Sequence, residues 1–475
     1  MCAVHERAPA SPPPPPRSRS GRRRAGGGRP GPGPQGGGNP ALVVVGGFTA
    51  ASLVGTALLS LPVATSSGER APLVDALFTA VSAVCVTGLV TVDTGSYWSG
   101  FGQAVVLLLI QAGGLGIMTL ATLIALLLRH RLGLRARLVA QTETKTLTSA
   151  DVRRVVRRVV AFSLGCEAVV AAVLAARFAA SYDEPAVEAL YDGVFHAVSA
   201  FNNAGFSTNA DSLVGYAGDP LVLGVVCLAV VVGGLGFPVV FELVRSWRRP
   251  STWSVLTRIT VWVTVVLLVV GTVGVLVAEA RNPATLGALP AEDRVLGAFT
   301  ASVMARTAGF NSVDVGALQP TTLFLTDVLM FIGGGSAGTA GGIKVTTFGL
   351  LAFVVWAEVR GEPGVVVGRR RVPAATQRQA LSVALLGVAL AVTGTSLLLD
   401  LSGVGLDAAL FEAVSAFATV GLSTGITADL PTSAQLVLVA LMLAGRVGPL
   451  TLATALALRE RTRRTQYPEE RTIVG

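Results

Sequence analysis

The sequence predicts an all-α integral membrane protein in which four pseudo-symmetric helix–re-entrant loop–helix repeats place eight transmembrane helices around one central pore. The first observation is composition: hydrophobic residues make up 52% of the chain and charged residues only 14%, whereas a soluble domain needs more charge to cover its surface. The second is one short pattern that occurs four times. The third is a set of apolar stretches that flank the four copies and are long enough to cross a bilayer.

The repeated pattern begins with Phe, reaches Gly ten positions later, and recurs at separations of 117, 104 and 112 residues. Recurrence at this scale indicates four related structural units. In a single copy the Gly could simply end a short core helix, but four copies with one internal spacing favour a repeated re-entrant segment. The copies are 78–88 (FTAVSAVCVTG), 195–205 (FHAVSAFNNAG), 299–309 (FTASVMARTAG) and 411–421 (FEAVSAFATVG).

Eight apolar stretches are candidate transmembrane spans, because about 20 apolar residues in a helix cross a bilayer core. Each repeat then consists of a helix, a re-entrant loop and a second helix. The spans cover 41–61, 101–128, 155–178, 220–244, 255–280, 321–357 (interrupted), 378–400 and 433–458. The repeats occupy 41–128, 129–245, 246–358 and 359–475, after an Arg/Pro/Gly-rich tail at 1–40 that we expect to be disordered and cytoplasmic.

The basic residues predict which side of the membrane each connection faces. Of the 37 Lys and Arg, 30 lie in the tail 1–40 and in the connections 129–158, 245–258, 358–378 and 459–471. An excess of Lys and Arg in short loops marks the cytoplasmic face, so both termini should be cytoplasmic and the re-entrant loops should open outside. The net charge of +9 is therefore explained by membrane topology, and we expect no nucleic-acid partner.

Carboxylates on the opposite face could form an acidic rim that raises the local cation concentration. Ordinary solvated loops are an equally good explanation for any one of them. They are Asp93, Asp183, Glu184, Asp211, Asp219, Asp314, Asp407 and Asp429.

Residues that would indicate an enzyme are sparse. The four Cys and three His are scattered without metal-ligand spacing, and no Ser/His/Asp set stands out. His196 lies in the second re-entrant helix, where we expect it to pack. The chain is thus predicted not to be an enzyme and to bind no cofactor covalently.

The segments after each half-helix are candidates for binding an ion. A half-helix that points its C-terminus at the bilayer centre directs the negative end of its dipole there, and four of them would favour a cation. Non-helical backbone at that depth must be buried in protein or line a cavity, and stacked carbonyls can replace the hydration shell of an ion. The candidate filter residues are Val86, Thr87, Gly88, Asn203, Ala204, Gly205, Thr307, Ala308, Gly309, Thr419, Val420 and Gly421.

The sixth span is interrupted at 333–342, where six of ten residues are Gly. Each Gly costs a helix about 1 kcal/mol relative to Ala, so this segment should be an irregular loop that lines a cavity below the filter. Arg446 lies in otherwise apolar sequence, and we predict that it faces the pore and donates hydrogen bonds to carbonyls of this loop. The alternative is an Arg that snorkels near a helix end. Arg306 should pack the third re-entrant loop, and Lys344 should lie at the inner end of 333–342.

These motifs together resemble the membrane subunit of the Trk/Ktr/HKT superfamily of potassium transporters, and the Ktr type most of all. The resemblance covers roughly residues 41–475, without the tail at 1–40. The motifs are CVTGL (85–89), NNAGF (202–206), RTAGF (306–310), TVGLS (419–423), GGGSAGTAGGIK (333–344) and GRVGPLT (445–451).

The resemblance implies potassium uptake across the plasma membrane, with K⁺ held at the filter carbonyls. Gly88 favours potassium, because sodium-preferring members often carry Ser at that position. The resemblance also implies a homodimer and a cytosolic nucleotide-binding regulatory subunit of the RCK/KTN type. The loop becomes an intramembrane gate formed by Gly333, Gly334, Gly335, Ser336, Gly338, Thr339, Gly341, Gly342, Lys344 and Arg446.

Three alternatives stay open at this point. A sodium- or proton-coupled cation symporter of the same fold would use Na⁺ or H⁺ as an activating or coupled ion. A secondary transporter of another solute would show two inverted halves instead of four parallel repeats. An intramembrane enzyme would need a His/Asp/Glu cluster in its spans, which the sequence lacks.

Overall fold

A computed structural model of the protein describes residues 40–116, 119, 149–368 and 370–458. All of them belong to one compact unit, Asn39–Gly475. Predictions for residues 1–39, for most of the basic connection after the first repeat, and for the C-terminal tail lie outside the described residues.

Helices dominate the described chain, and each repeat contains a first helix, a half-helix and a second helix. Repeat 1 contains α1 (Pro40–Leu59), α2 (Leu73–Cys85), α3 (Thr94–Tyr97) and α4 (Gly100–Gly116). Repeat 2 contains α5 (Ser149–Ser181), α6 (Ala186–Phe201), α7 (Pro220–Leu235) and α8 (Phe237–Ser246). Repeat 3 contains α9 (Val255–Glu279), α10 (Ala291–Met304), α11 (Pro320–Phe331) and α12 (Val345–Val359). Repeat 4 contains α13 (Ala374–Ser402), α14 (Leu406–Ala418) and α15 (Thr432–Leu458).

Three helices of the described chain are individually long and apolar enough to cross a membrane: Arg153–Ser181, Val255–Glu279 and Ala374–Ser402. They are the first helices of repeats 2, 3 and 4. The pair α7–α8 qualifies as one bent span. The other predicted spans correspond to shorter apolar helices, because α4 is described as a helix only to Gly116 and because 321–357 is divided between α11 and α12.

The fourth predicted span, 220–244, is not one continuous helix. The chain bends by 104° between α7 and α8, at Gly236, whose φ is +91°. Residues with a Cβ rarely adopt this conformation. Pro238 in the first turn of α8 also lacks a backbone N–H, which fits a new helix start better than a helix interior.

The half-helices are anchored by the Phe that opens the repeated pattern. Phe78, Phe195 and Phe411 are fully buried, and each packs in a core cluster between its half-helix and neighbouring helices. The third repeat differs, since Phe299 is exposed.

The connection between α12 and α13 contains a small hairpin that the sequence did not predict. Strands β1 (Val366–Val367) and β2 (Arg370–Arg371) pair antiparallel, and Gly368 between them has a φ of +64°. This hairpin lies in one of the basic connections.

Candidate functional site

The four half-helices end in the same backbone turn. The residue two positions before each filter Gly has a positive φ, and so has the Gly itself. The first set is Val86, Asn203, Thr307 and Thr419, with φ between 50° and 70°, and the second is Gly88, Gly205, Gly309 and Gly421, with φ between 72° and 96°. A positive φ is strained for a non-Gly residue. Because it occurs at equivalent positions of all four repeats, the turn is a required part of the repeated structure.

The four glycines form a closed ring. A Cβ on Gly88 would overlap the carbonyl oxygen of Ala204, and the same relationship holds from each repeat to the next. The pairs are Gly88 with Ala204, Gly205 with Ala308, Gly309 with Val420, and Gly421 with Thr87. Since the fourth pair returns to the first repeat, the segments surround a single axis. Each contributes a carbonyl group from the position before its Gly.

Backbone hydrogen bonds hold these segments onto their half-helices. In repeat 1, Thr87 N donates to Ser82 O at 2.8 Å, and Gly88 N donates to the hydroxyl of Ser82 at 3.1 Å. Repeat 4 has the same pair of bonds, from Val420 N to Ser415 O at 2.9 Å and from Gly421 N to Ser415 Oγ at 3.1 Å. These bonds use the N–H groups and do not engage the carbonyl groups of Thr87 and Val420.

A funnel with a volume of about 610 Å³ lies against the ring and is lined by all four filter glycines. Asp93, Asp211 and Asp314 also line it. Three of the eight carboxylates that the sequence analysis grouped on one face thus line the same funnel as the filter glycines.

Glycines on the second helices allow close approach to the half-helix ends, a feature that the sequence reasoning missed. A Cβ on Gly113 would overlap Val84 O. Gly233 and Gly445 stand in the same relationship to the carbonyls of Phe201 and Phe417. The signal was present in the sequence: Gly-Gly recurs at 113–114, 233–234 and 333–334, and the fourth copy reads Gly445-Arg446.

The loop at 333–342 lies directly under the ring. A Cβ on Gly341 would overlap the hydroxyl of Thr419, and one on Gly333 would lie 3.4 Å from Thr307 Cγ2. Gly335 N and Thr339 N donate to the carbonyls at positions 234 and 233, at 2.7 and 3.2 Å. The segment 333–342 is non-helical, and it packs on the break between α7 and α8.

Thr339 joins this loop to two other parts of the site. Its hydroxyl donates to Asn203 Oδ1 at 2.7 Å, and its carbonyl accepts a hydrogen bond from Arg446 Nη1 at 2.5 Å. The predicted bond between Arg446 and a carbonyl of the loop is present. The link to Asn203 was not predicted.

Two buried cations, Arg446 and Arg306, and the half-buried Lys344 surround the loop without a carboxylate partner in the described part of the chain. Arg446 is 4% exposed, and its Nε and Nη2 have no hydrogen-bond partner there. Arg306 donates to Thr264 O at 3.3 Å and to Gly333 O at 3.0 Å, so it supports the start of the loop. Lys344 donates to Ala340 O. The side of the ring that faces the loop consequently carries uncompensated positive charge.

His196 packs inside the protein as expected. Nδ1 lies 2.8 Å from Asp192 O, and Nε2 lies 3.0 Å from the hydroxyl of Ser207. A carbonyl can only accept, so Nδ1 carries the proton and Nε2 accepts from Ser207. Its ring also stacks on Phe310.

Comparison with known proteins identifies the family. Residues 43–464 match the TrkH family of cation transport proteins. The chain belongs to this family. Since the match covers nearly all of the described chain, the resemblance to the Trk/Ktr/HKT superfamily is confirmed, and the protein is a membrane transporter and not an enzyme.

Several relatives align over almost their whole length. The Ktr system potassium uptake protein B of Bacillus subtilis is 38% identical over 438 residues, which are 92% of this chain and 97% of the relative. The protein of the same name from Vibrio alginolyticus is 38% identical over 440 residues, 92% of this chain and 95% of the relative. The potassium/sodium uptake protein NtpJ of Enterococcus hirae is 33% identical over 443 residues, 92% of this chain and 97% of the relative.

The fold also matches a solved structure, the potassium transporter TrkH from Vibrio parahaemolyticus. The TM-score is 0.69 at 19% sequence identity, over 89% of this chain and 86% of that one. This similarity supports the predicted fold class, an all-α membrane protein with re-entrant half-helices.

Proposed function

We propose that this protein mediates potassium uptake across the plasma membrane, through a filter made by the four glycine segments and closed by the loop at 333–342. The single observation that carries the proposal is the closed ring, in which each filter Gly abuts the carbonyl before the next one. A soluble enzyme or a binding protein has no use for such a ring at the centre of an apolar helical bundle.

The ring supplies oxygen ligands for a dehydrated monovalent cation. The carbonyls of Thr87, Ala204, Ala308 and Val420 surround the axis, and rings of carbonyls can replace a hydration shell. The hydroxyls of Thr87, Thr307 and Thr419 are buried without a partner among the described residues. Buried polar groups are normally hydrogen-bonded, so these hydroxyls are available as further ligands. The half-helix dipoles add negative potential at the same place.

The loop acts as the gate in this proposal. It occupies the space beneath the ring. Thr339 contributes to holding it there through its hydrogen bonds to Asn203 and from Arg446, in addition to the backbone bonds to α7 and the bond from Arg306. Arg446 also places an uncompensated positive charge on the inner side. Conduction therefore requires that the loop leave these partners and that the cation pass the guanidinium.

The membrane potential is sufficient to drive uptake. A negative interior contributes about 2.3 kcal/mol per charge per 100 mV, which corresponds to roughly fiftyfold accumulation of a monovalent cation.

A second candidate is sodium- or proton-coupled symport on the same fold. It is favoured by the similarity to NtpJ, which is named a potassium/sodium uptake protein.

The proposal includes a topology and an assembly. Both termini are cytoplasmic, the repeats divide between α4 and α5, between α8 and α9, and between α12 and α13, and the funnel opens outside. The chain forms a homodimer, and a cytosolic nucleotide-binding subunit of the RCK/KTN type docks on the basic connections 129–158 and 358–378. Support comes from the distribution of Lys and Arg and from relatives named as parts of a Ktr system.

Uptake by purified protein in liposomes tests the proposal. With a negative-inside potential and no other gradient, we expect K⁺ uptake that stops when the potential is collapsed. K⁺ uptake only after a Na⁺ or pH gradient is added would favour coupled symport. No K⁺ flux under any of these gradients, with the regulatory subunit present, would contradict both candidates.

A further inference from the structure

Helix α8 runs across the direction of the span that precedes it. The bend between α7 and α8 is 104°, so α8 is close to perpendicular to α7. A helix of 16 residues such as α7 is about 24 Å long, which is less than the hydrocarbon core of roughly 30 Å. In the orientation of the proposed function α7 begins at the outer side, which places α8 near the inner boundary of the bilayer and along its plane.

The orientation of α8 is fixed by the start of the next helix. Glu242 Oε1 accepts from Ser254 N at 2.5 Å, and its Oε2 accepts from Ser254 Oγ at 2.7 Å and from Thr257 Oγ1 at 2.6 Å. Trp253 Nε1 donates to Ser246 O at 3.1 Å. These contacts connect one face of α8 to the first turn of α9, so the opposite face is held outward.

The outward face combines apolar and basic side chains. Val244 is 75% exposed and Trp247 64%. Arg245 directly follows Val244, and Arg248 and Arg249 directly follow Trp247; all three Arg are exposed. Phe241, at the start of this face, is 42% exposed and also packs on Phe162 of α5. The guanidinium of Arg248 lies 4.8 Å from the centre of the Trp247 ring. None of the three Arg forms an ion pair within the described ranges.

We propose that α8, together with residues 247–249, binds the anionic phospholipid headgroups of the cytoplasmic leaflet. A helix in the membrane plane with aromatic and aliphatic residues among several Arg is typical of interfacial lipid binding. Trp also prefers the membrane–water interface, and Arg binds phosphate groups through paired N–H donors. The inference rests on the orientation given under the proposed function.

The positive charge of Arg245, Arg248 and Arg249 predicts a preference for anionic over neutral lipid. One Lys or Arg near an anionic surface contributes enough to change binding about fivefold. Three unpaired Arg on one short segment should therefore give a clear preference for phosphatidylglycerol over phosphatidylcholine, and each Arg→Gln change should reduce that preference about fivefold.

Fluorescence quenching of Trp247 tests the proposal with the full-length protein in vesicles. The vesicles contain equal amounts of phosphatidylcholine and phosphatidylglycerol, with bromine on the chains of one lipid or of the other. We expect stronger quenching by brominated phosphatidylglycerol. Trp247→Phe should remove this excess. The other four Trp residues are present in both proteins, so the difference between the two proteins reports Trp247.

The excess should also be lost in the triple variant Arg245→Gln/Arg248→Gln/Arg249→Gln. The control is Arg281→Gln, which changes an exposed Arg after α9 on the opposite side and should keep the excess. Equal quenching of the wild type by the two brominated lipids, or an excess that survives the triple substitution, would overturn the proposal. K⁺ flux measured in the same vesicles separates this result from a failure of the proposed function, because lipid preference and flux are read independently.

Discussion

Arg446 Nη1 donates a hydrogen bond of 2.5 Å to the carbonyl oxygen of Thr339. The two residues are 107 positions apart in the chain, and both lie beneath the glycine ring. In repeats 1 to 3, Gly114, Gly234 and Gly334 occupy the position that Arg446 takes in repeat 4. Repeat 4 thus has a positively charged side chain at the position where repeats 1 to 3 have Gly. This difference breaks the fourfold symmetry at the loop.

Arg446→Ala should increase the rate of K⁺ uptake. Loss of a hydrogen bond to a charged group costs about 1.5–3 kcal/mol, so the loop should leave its closed position at least about tenfold more often. Initial uptake into liposomes under a fixed potential measures this change, with Arg281→Ala as a control. If transport rate and ion selectivity both stay at wild-type values, Arg446 is not a barrier.

Thr339→Val should have a smaller effect in the same direction. The substitution keeps the size of the side chain and the carbonyl that Arg446 contacts, but it removes the hydroxyl that donates to Asn203 Oδ1. A neutral hydrogen bond contributes about 1 kcal/mol, which predicts roughly fivefold faster uptake. Thr339→Ser, which retains the hydroxyl, is the matched control; equal rates for the Val and Ser variants would exclude a role for this bond.

Gly236→Ala should destabilise the closed loop from its other side. The φ of +91° is strained for Ala by about 1–3 kcal/mol, and the new Cβ would lie 2.5 Å from Ser336 O. We expect a lower midpoint of thermal unfolding in detergent and faster K⁺ uptake. Gly224→Ala, within α7 and with open space around it, should leave both unchanged or slightly raise the midpoint. A Gly236→Ala protein as stable as that control would contradict the strain argument.

Asp219 should make the stability of the protein depend on pH. Burial alone would raise the pKa of its carboxyl group, but hydrogen bonds from Arg177, the backbone N–H groups of Val222 and Leu221, and the hydroxyl of Tyr182 hold the pKa below its ordinary value. The ionised form is therefore favoured by folding. Its stabilisation is complete above the pKa of the unfolded carboxyl group and is lost as pH falls through the lowered folded value.

Asp219→Asn should accordingly reduce the unfolding temperature near neutral pH, and the difference from wild type should shrink in acid. Thermal unfolding in detergent across this pH range measures both proteins, with the exposed Asp429→Asn as a control. A difference that is the same at all pH values would assign the effect to packing and not to the charge of Asp219.

The sequence was sufficient for the parts of the fold that depend on local pattern. Apolar length located the apolar helices, although it did not reveal the bend within 220–244. The fourfold recurrence pointed to the turns at Gly88, Gly205, Gly309 and Gly421, where φ is positive in every repeat. The cluster of Gly at 333–342 predicted the interruption because each Gly costs a helix about 1 kcal/mol relative to Ala.

The parts that were missed depend on contacts between distant segments. The bond between Thr339 and Asn203 joins residues 136 positions apart, and neither side chain is unusual in its own segment. The bend at Gly236 was not predicted because the sequence is apolar on both sides of it, so hydropathy alone indicates one continuous span. The Gly113, Gly233 and Gly445 contacts could have been found by aligning the second helices as well as the half-helices.

The central claim, that the four glycines form one selectivity filter, is tested most directly by the K⁺/Na⁺ preference of Gly88→Ser. A Cβ at this position would overlap the carbonyl oxygen of Ala204, so the ring must distort. Gly100→Ser, where a side chain meets open space, is the control. We predict that competing K⁺ and Na⁺ uptake in liposomes shows a lower K⁺ preference for Gly88→Ser and an unchanged one for Gly100→Ser. Equal preferences in wild type and Gly88→Ser, with flux retained, would contradict the account.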